Sequence, residues 1–189
     1  MAGGSRTQAD EELDRRDMRE LAAGSQPALE RLYDRYSARL GGFFWRMGAD
    51  AGEMDELVQD SFVRLWRYGA GWRGEGRFST YLLGIARSAW LDSRGSVRRG
   101  EQVLDGARPA ADDVRPDREL ERKELGREIR QALADLPAGL RDVFSLATAG
   151  ELKYREIAAL LDIPVGTVKS RMAAAEEKLR ERLSRYVGR

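Results

Sequence analysis

Tyr154-Arg-Glu-Ile-Ala-Ala-Leu-Leu-Asp-Ile-Pro-Val-Gly-Thr-Val-Lys-Ser-Arg171 is the stretch on which the fold turns. Ile157, Leu160, Leu161, Ile163 and Val168 fall where two short helices crossing at a steep angle bury them, and Ala158 is small where those helices approach. Pro164 opens the second helix, where its missing N–H costs nothing. Asp162 stands where a glycine often ends the first helix, and aspartate visits the left-handed region more readily than most residues. Lys153 occupies the cap position, where Ser or Thr is usual. Thr167, Lys169, Ser170 and Arg171 then fill the first turns of the second helix, the end that enters a DNA major groove. The pattern predicts a DNA-binding helix-turn-helix. An ordinary helical hairpin with a solvated basic face accounts for any one of these cations, not for the whole pattern.

Working outward, Arg118 to Ala134, Ala138 to Ala149 and Val165 to Arg185 carry helical patterning, so 118–189 is read as one helical unit. From Ser96 to Asp117 periodicity disappears among Gly, Ala, Pro109, Pro116 and scattered acids, the composition of an extended linker at a domain boundary. Upstream, 10–95 forms a second unit. Asp10 to Ala23 has the charge density of an exposed helix ending at Gly24, and Ser25 caps the next, with Pro27 in its first turn. That helix carries Leu29, Leu32, Tyr33, Tyr36 and Leu40 at core spacing. Met54 to Tyr68 groups Met54, Leu57, Val58, Ser61, Phe62 and Leu65 on one side and Glu56, Gln59, Asp60, Val63 and Arg67 on the other. A glycine-rich loop with Trp72 and Arg73 leads into a helix from Phe78 to about Arg94. Residues 1–9 are small and polar and are read as a disordered tail. With no strand pattern anywhere, the expectation is an all-α protein, two small helical domains joined by an extended linker.

Composition narrows the function by exclusion. The 189 residues include neither cysteine nor histidine, which removes disulfides, thiol nucleophiles, His-based triads and zinc sites built from those ligands. Apolar runs are short and the start of the chain lacks the apolar core of a signal peptide, which predicts a cytoplasmic protein without membrane insertion. No cofactor is expected and no enzymatic constellation is visible. Net charge, 33 basic against 32 acidic residues, decides nothing about nucleic acid, whereas the distribution does. Asp50, Glu53, Asp55, Glu56 and Asp60 follow one another without a base, while Ser61 to Arg99 holds eight arginines against Glu75 and Asp92.

On the helix from Phe78 the side opposite the core carries Leu83, Arg87, Trp90 and Arg94. A surface that interleaves an aromatic with cations suits an unpaired strand, since arginines track phosphates and aromatics stack bases. The competing reading packs Trp90 against the linker or the other unit and leaves the arginines to solvent. The loop around Trp72 is equally either a connector or a base-capturing pocket.

Three stretches in this order carry a resemblance. Asp55-Glu-Leu-Val-Gln-Asp-Ser-Phe-Val-Arg-Leu-Trp66 is similar to the core-binding motif of extracytoplasmic-function sigma factors, and Phe78-Ser-Thr-Tyr-Leu-Leu-Gly-Ile-Ala-Arg-Ser-Ala-Trp-Leu-Asp92 resembles their downstream-promoter helix. Leu136-Pro-Ala-Gly-Leu-Arg-Asp-Val-Phe144, followed by Ile163 to Arg171, resembles their upstream-promoter domain. The likeness spans roughly Asp17 to Leu183.

The resemblance implies that 10–95 is the region 2 domain and 118–189 the region 4 domain, with 96–117 threading toward the polymerase active-site cleft. It implies that Asp55, Glu56, Gln59, Asp60 and Val63 dock on the clamp coiled coil of the RNA polymerase largest subunit, with the flap as a further core contact. Trp72, Arg73, Arg77, Arg87, Ser88, Trp90 and Arg94 would hold the melted strand of the minus-ten element, one base flipped from the stack. Thr167, Lys169, Ser170 and Arg171 would read the minus-thirty-five element of promoter DNA. Such proteins usually have Asn where Ser88 stands and Trp where Tyr81 stands, differences that bear on which base is read. Many are held inactive by an anti-sigma factor, a further partner class. A free-standing helix-turn-helix regulator explains the second unit but leaves the acidic motif and the aromatic-basic helix of the first without a purpose.

Overall fold

Helix α1 (Gln8–Ala22) is charged along its length yet is not simply an exposed helix. It turns Asp14, Asp17, Met18 and Leu21 inward against α2 (Gln26–Met47). Buried carboxylates are tolerated only when paired, and the partners come from one stretch of α2. Arg35 donates from Nη1 to Asp14 at 2.6 Å and from Nη2 to Asp17 at 2.8 Å. Tyr36 Oη donates to Asp14 at 2.6 Å and Arg31 Nε to Asp17 at 2.9 Å. Sequence patterning reads charge as solvent exposure, and here the reciprocal charges sit on the neighbouring helix.

A computed structural model of the chain describes residues 8–98, 116–150 and 152–184, and its regular structure is helical throughout. Ser25 caps α2 as its sequence position suggested, its hydroxyl accepting from Ala28 N at 3.4 Å. Leu32, Tyr36, Leu40, Phe43 and Phe44 of α2 form the centre of the core. Helix α3 (Ala51–Tyr68) starts at Ala51 rather than Met54, because Asp50 accepts from Glu53 N at 2.9 Å while Glu53 accepts from Asp50 N at 3.3 Å, a reciprocal box that satisfies the helix end. A 3₁₀ turn (Gly69–Gly71) and a short loop lead to α4 (Phe78–Arg98).

The tail expected over 1–9 lies largely outside the described residues, and Gln8 and Ala9 already belong to α1. The linker expected over 96–117 lies outside them at 99–115; residues 96–98 continue α4 and 116–117 open α5 (Pro116–Ala134). Then follow α6 (Ala138–Gly150), α7 (Tyr154–Leu161) and α8 (Val165–Arg182). The units do not stand apart: α6 packs along α2, and one continuous core runs from Leu32 and Leu82 through Val143 and Leu146 to Ile157 and Val168.

The α1–α2 network makes stability depend on acid. Burial alone would raise the Asp17 pKa, but hydrogen bonds from Arg35, Arg31 and Arg16 outweigh it and hold the carboxyl below the usual aspartate range. A carboxyl with a lower pKa folded than unfolded stabilises fully above its unfolded value, and that contribution is lost as the pH falls through the folded one. Asp17→Asn is therefore expected to cost about 3 kcal/mol at neutral pH and to flatten the fall of the melting temperature below about pH 4. Thermal melting between neutral and acidic pH checks it; a variant that keeps the parent's acid sensitivity would contradict the assignment.

Candidate nucleic-acid interface

Three local devices position the helix-turn-helix. Asp162 ends α7 in the left-handed conformation, φ 51° and ψ 51°, with its N–H returned to the last turn. Glu156 accepts from Lys153 N at 2.6 Å, so the side chain three residues into the helix supplies the cap that lysine, lacking an acceptor, cannot. Ile157 and Val168 are fully buried where the helices cross. Lys169 and Ser170 face solvent, while Thr167 and Arg171 are half-buried. The Arg171 guanidinium crosses Gly139 of α6 so closely that a β-carbon there would lie 3.1 Å from Nη1. Gly139 thus makes room for Arg171, a role invisible in sequence because the contact is between distant helices.

In the first unit, α3 divides its faces as its periodicity predicts. Leu57, Val58, Phe62 and Leu65 are buried; Asp55, Glu56, Gln59 and Val63 are exposed and Asp60 is half-exposed. Asp60 is held by Arg64 Nε at 2.8 Å, and Arg64 also donates to Asp92 of α4 at 2.6 Å. Hydrogen bonding to Asp92, with support from Asp60, holds Arg64 above the ordinary arginine range. Gln59 and Val63 share a surface cavity of about 500 Å³ with Tyr33 and Trp66. Trp66 is 40% exposed and Val63 44%. An apolar patch rimmed by polar groups marks a protein-docking site. Sequence reasoning put Val63 on this face but placed Tyr33 on the core stripe of α2, whereas it is 39% exposed, and gave Trp66 no role although that residue lies off the core stripe.

The residues assigned to an unpaired strand meet in two clusters. In the loop, Gly74 and Gly76 take positive φ, 74° and 79°, a backbone conformation that residues with a side chain rarely adopt. The Trp72 ring lies 6.0 Å from Phe78 and 6.3 Å from Tyr81, and its buried Nε1 has no acceptor among the described residues. Arg73 is exposed, whereas Arg77 pairs with Glu11 of α1 at 3.0 Å. Along α4, Leu83, Arg87, Trp90 and Arg94 do share a side, but it is covered: Leu83 is 1% exposed and Trp90 8%. Arg87 donates from Nη2 to Asp142 of α6 at 2.8 Å. Arg94 sits over the Trp90 ring at 3.9 Å from its centroid and donates to Glu53 at 2.9 Å. Ser88 remains exposed, at a cavity of about 600 Å³ whose other wall is Glu156, Ala159 and Leu160 of α7. Asp142, Glu156 and Gly84, where a β-carbon would lie 3.2 Å from Leu160 Cδ1, were not legible as part of this region.

Comparison with known proteins agrees with this arrangement. Residues 32–100 match the family model Sigma-70 region 2, and residues 126–179 match Sigma-70, region 4. The RNA polymerase sigma-H factor of Pseudomonas aeruginosa is 27% identical over 179 residues, 89% of this chain and 93% of the relative. The ECF RNA polymerase sigma factor SigW of Bacillus subtilis is 29% identical over 177 residues, 88% of this chain and 94% of the relative. Among solved structures, CnrH in complex with the cytosolic domain of CnrY superposes with a TM-score of 0.70 at 25% identity, covering 91% of this chain and 97% of CnrH. The sigma factor RpoE from Bartonella quintana, solved with the anti-sigma factor NepR, shares the fold at a TM-score of 0.65 and 22% identity, covering 85% and 98%.

Proposed function

Since the chain belongs to the sigma-70 family as an extracytoplasmic-function RNA polymerase sigma factor, we propose that its two helical units divide promoter recognition between them. Residues 10–95 bind core polymerase and capture the melted minus-ten strand, 118–189 read the minus-thirty-five element, and 96–117 connect them. Carrying this reading is the exposed polar-apolar face of α3, with Gln59, Val63 and Trp66 around one cavity. A free-standing regulator has no use for such a face. Core polymerase, through its clamp coiled coil and flap, and promoter DNA are the partners. An anti-sigma factor is a further one, supported by the likeness to CnrH, whose structure holds it in complex with another protein's cytosolic domain. The chain acts as an initiation factor without chemistry of its own, on polymerase in the cytoplasm; among the described residues no helix is long and apolar enough to cross a membrane.

In the test, Gln59→Ala is combined with Asp60→Arg. The pair removes a polar contact, reverses a charge and sets an arginine beside Arg64, while the buried stripe of α3 is untouched. Affinity for core polymerase is expected to fall tenfold or more, roughly the 1.5–3 kcal/mol that charged interface contacts carry. Normal core affinity in a folded double variant would contradict the docking face. In vitro transcription with core polymerase and a random promoter library then identifies the recognised elements.

A further inference from the structure

Helix α1 is charged on two sides, and its ion pairs account for one of them. Asp14 and Asp17 turn inward to Arg31 and Arg35 of α2. Arg15 and Arg19, four residues apart, are exposed, and neither side chain has a hydrogen bond or ion pair among the described residues. Like charges at this spacing destabilise a helix, so local structure gives no reason for the pair. The 3₁₀ turn sets the following loop on the same helix. A β-carbon on Gly69 would lie 3.0 Å from Leu21 Cδ2, and Arg77 is fastened to Glu11 at 3.0 Å. Arg73 of that loop thereby shares a surface cavity of about 490 Å³ with Arg15, Arg19 and Trp72. Its side chain too is exposed and without a partner among the described residues. Glu12 is the one carboxylate lining the cavity, against three guanidinium groups. Elsewhere in this unit Arg64, Arg77 and Arg94 are each matched by a carboxylate of another helix.

Trp72 also lines the cavity beside Tyr81 and Ser88, so one residue borders both the surface of α4 and the cationic pocket on α1. We propose that Arg15, Arg19 and Arg73 form a phosphate seat for the unpaired strand, which runs from α4 past Trp72 onto α1. This rests on the reading of Trp72 and Arg73 as strand contacts, and it adds to them a helix outside the recognition motifs. A guanidinium offers a planar fork of N–H donors that matches phosphate oxygens two at a time. Phosphates carry no base identity, so the seat fixes where the strand lies without reading it. Its contribution is electrostatic, because a strand that binds cations releases condensed counterions and its affinity falls with salt. Arg15, Arg19 and Arg73 give up no ion pair when they take a phosphate. Arg77 and Arg94 must first release Glu11 and Glu53.

The test uses holoenzyme assembled from core polymerase and the full chain. Its probe is a fluorescent fork template, duplex upstream, whose non-template strand is single from the minus-ten element onward in a promoter that this holoenzyme transcribes. Arg15→Ala combined with Arg19→Ala is expected to weaken fork binding about tenfold at low salt and to make the log–log salt dependence shallower by about 0.7 per phosphate lost. Arg15→Lys with Arg19→Lys keeps the charge and should recover most of that loss. Both side chains are exposed, so the melting temperature and the affinities for core and for upstream duplex should stay at the parent's values. Neutral methylphosphonate linkages, placed one at a time along the single strand, then locate the seat. At one or two positions they should weaken the parent as the alanine pair does, and cost the alanine pair nothing more. Equal fork affinity in parent and alanine pair at low salt overturns the seat, as do neutral linkages that cost both proteins the same at every position; a loss on Trp72→Ala would leave the loop reading standing in either case. If Trp72→Ala, in a chain that still binds core, also leaves fork binding unchanged, the strand does not pass the loop and that reading falls together with the seat.

Discussion

A chain carrying Lys169→Glu and Arg171→Glu is expected to lose recognition of the upstream element while still binding core polymerase. Lys169 stands exposed in the second turn of α8, and Arg171 is steadied across Gly139. Each cation that contacts a phosphate or a base edge contributes about 1–3 kcal/mol, so removing both costs thirtyfold at the least. Two carboxylates facing the backbone add repulsion, and the remaining affinity should have a shallower salt dependence, because fewer counterions are released. The helix itself should survive, since Val168 and Ala175, which anchor it, are untouched. Duplex binding measured across a salt series checks all of this. Unaltered affinity at moderate salt would remove α8 as the reading helix.

Replacing Trp90 is expected to have the second large effect, in two measurable parts. With the units docked, the indole is 8% exposed and lies under the Arg94 guanidinium. Trp90→Ala therefore empties a packed site at a cost of about 3–5 kcal/mol, and the melting temperature of the free chain should drop. If α4 is the strand-binding helix, the same ring stacks on an unpaired base in the open promoter, and a stacking loss of about 1–3 kcal/mol slows or destabilises opening five- to more than a hundredfold. Trp90→Phe separates the parts. A phenyl ring keeps a stacking face but fills less of the site, so this variant should lose stability while retaining most of its opening activity. On a template already mismatched across the minus-ten element, the alanine variant should recover much of its activity, because melting no longer has to be driven. If duplex and pre-melted templates are affected equally in a folded protein, Trp90 is a packing residue alone, and the strand must be sought around Trp72.

The parts of this architecture that depend on neighbours in sequence are legible without coordinates. Helix periods placed Leu57, Phe62 and Leu65 inward and Gln59 and Val63 outward, and the structure has them so. Ser25 as a cap and Asp162 as a left-handed terminus follow from what those side chains do to their own backbone. Helix ends were less accurate where a reciprocal box, such as Asp50 with Glu53, extends a helix into a stretch without apolar periodicity.

What the sequence alone determined is therefore the set of helices, the residues that share each face and the order of the recognition motifs, because all three follow from local geometry with a period of 3.6 residues. What only the tertiary structure decided is which face meets which. The α1 carboxylates are buried because Arg31 and Arg35 reach them from the next helix, and α4 turns Arg87, Thr80 and Gly84 toward α6 and α7. Arg87 finds Asp142 across 55 positions of sequence. A face that mixes arginine with tryptophan fits an unpaired strand and an acidic, apolar protein surface alike, so its chemistry names a class of partners. Only the packing of distant helices selects the one it touches.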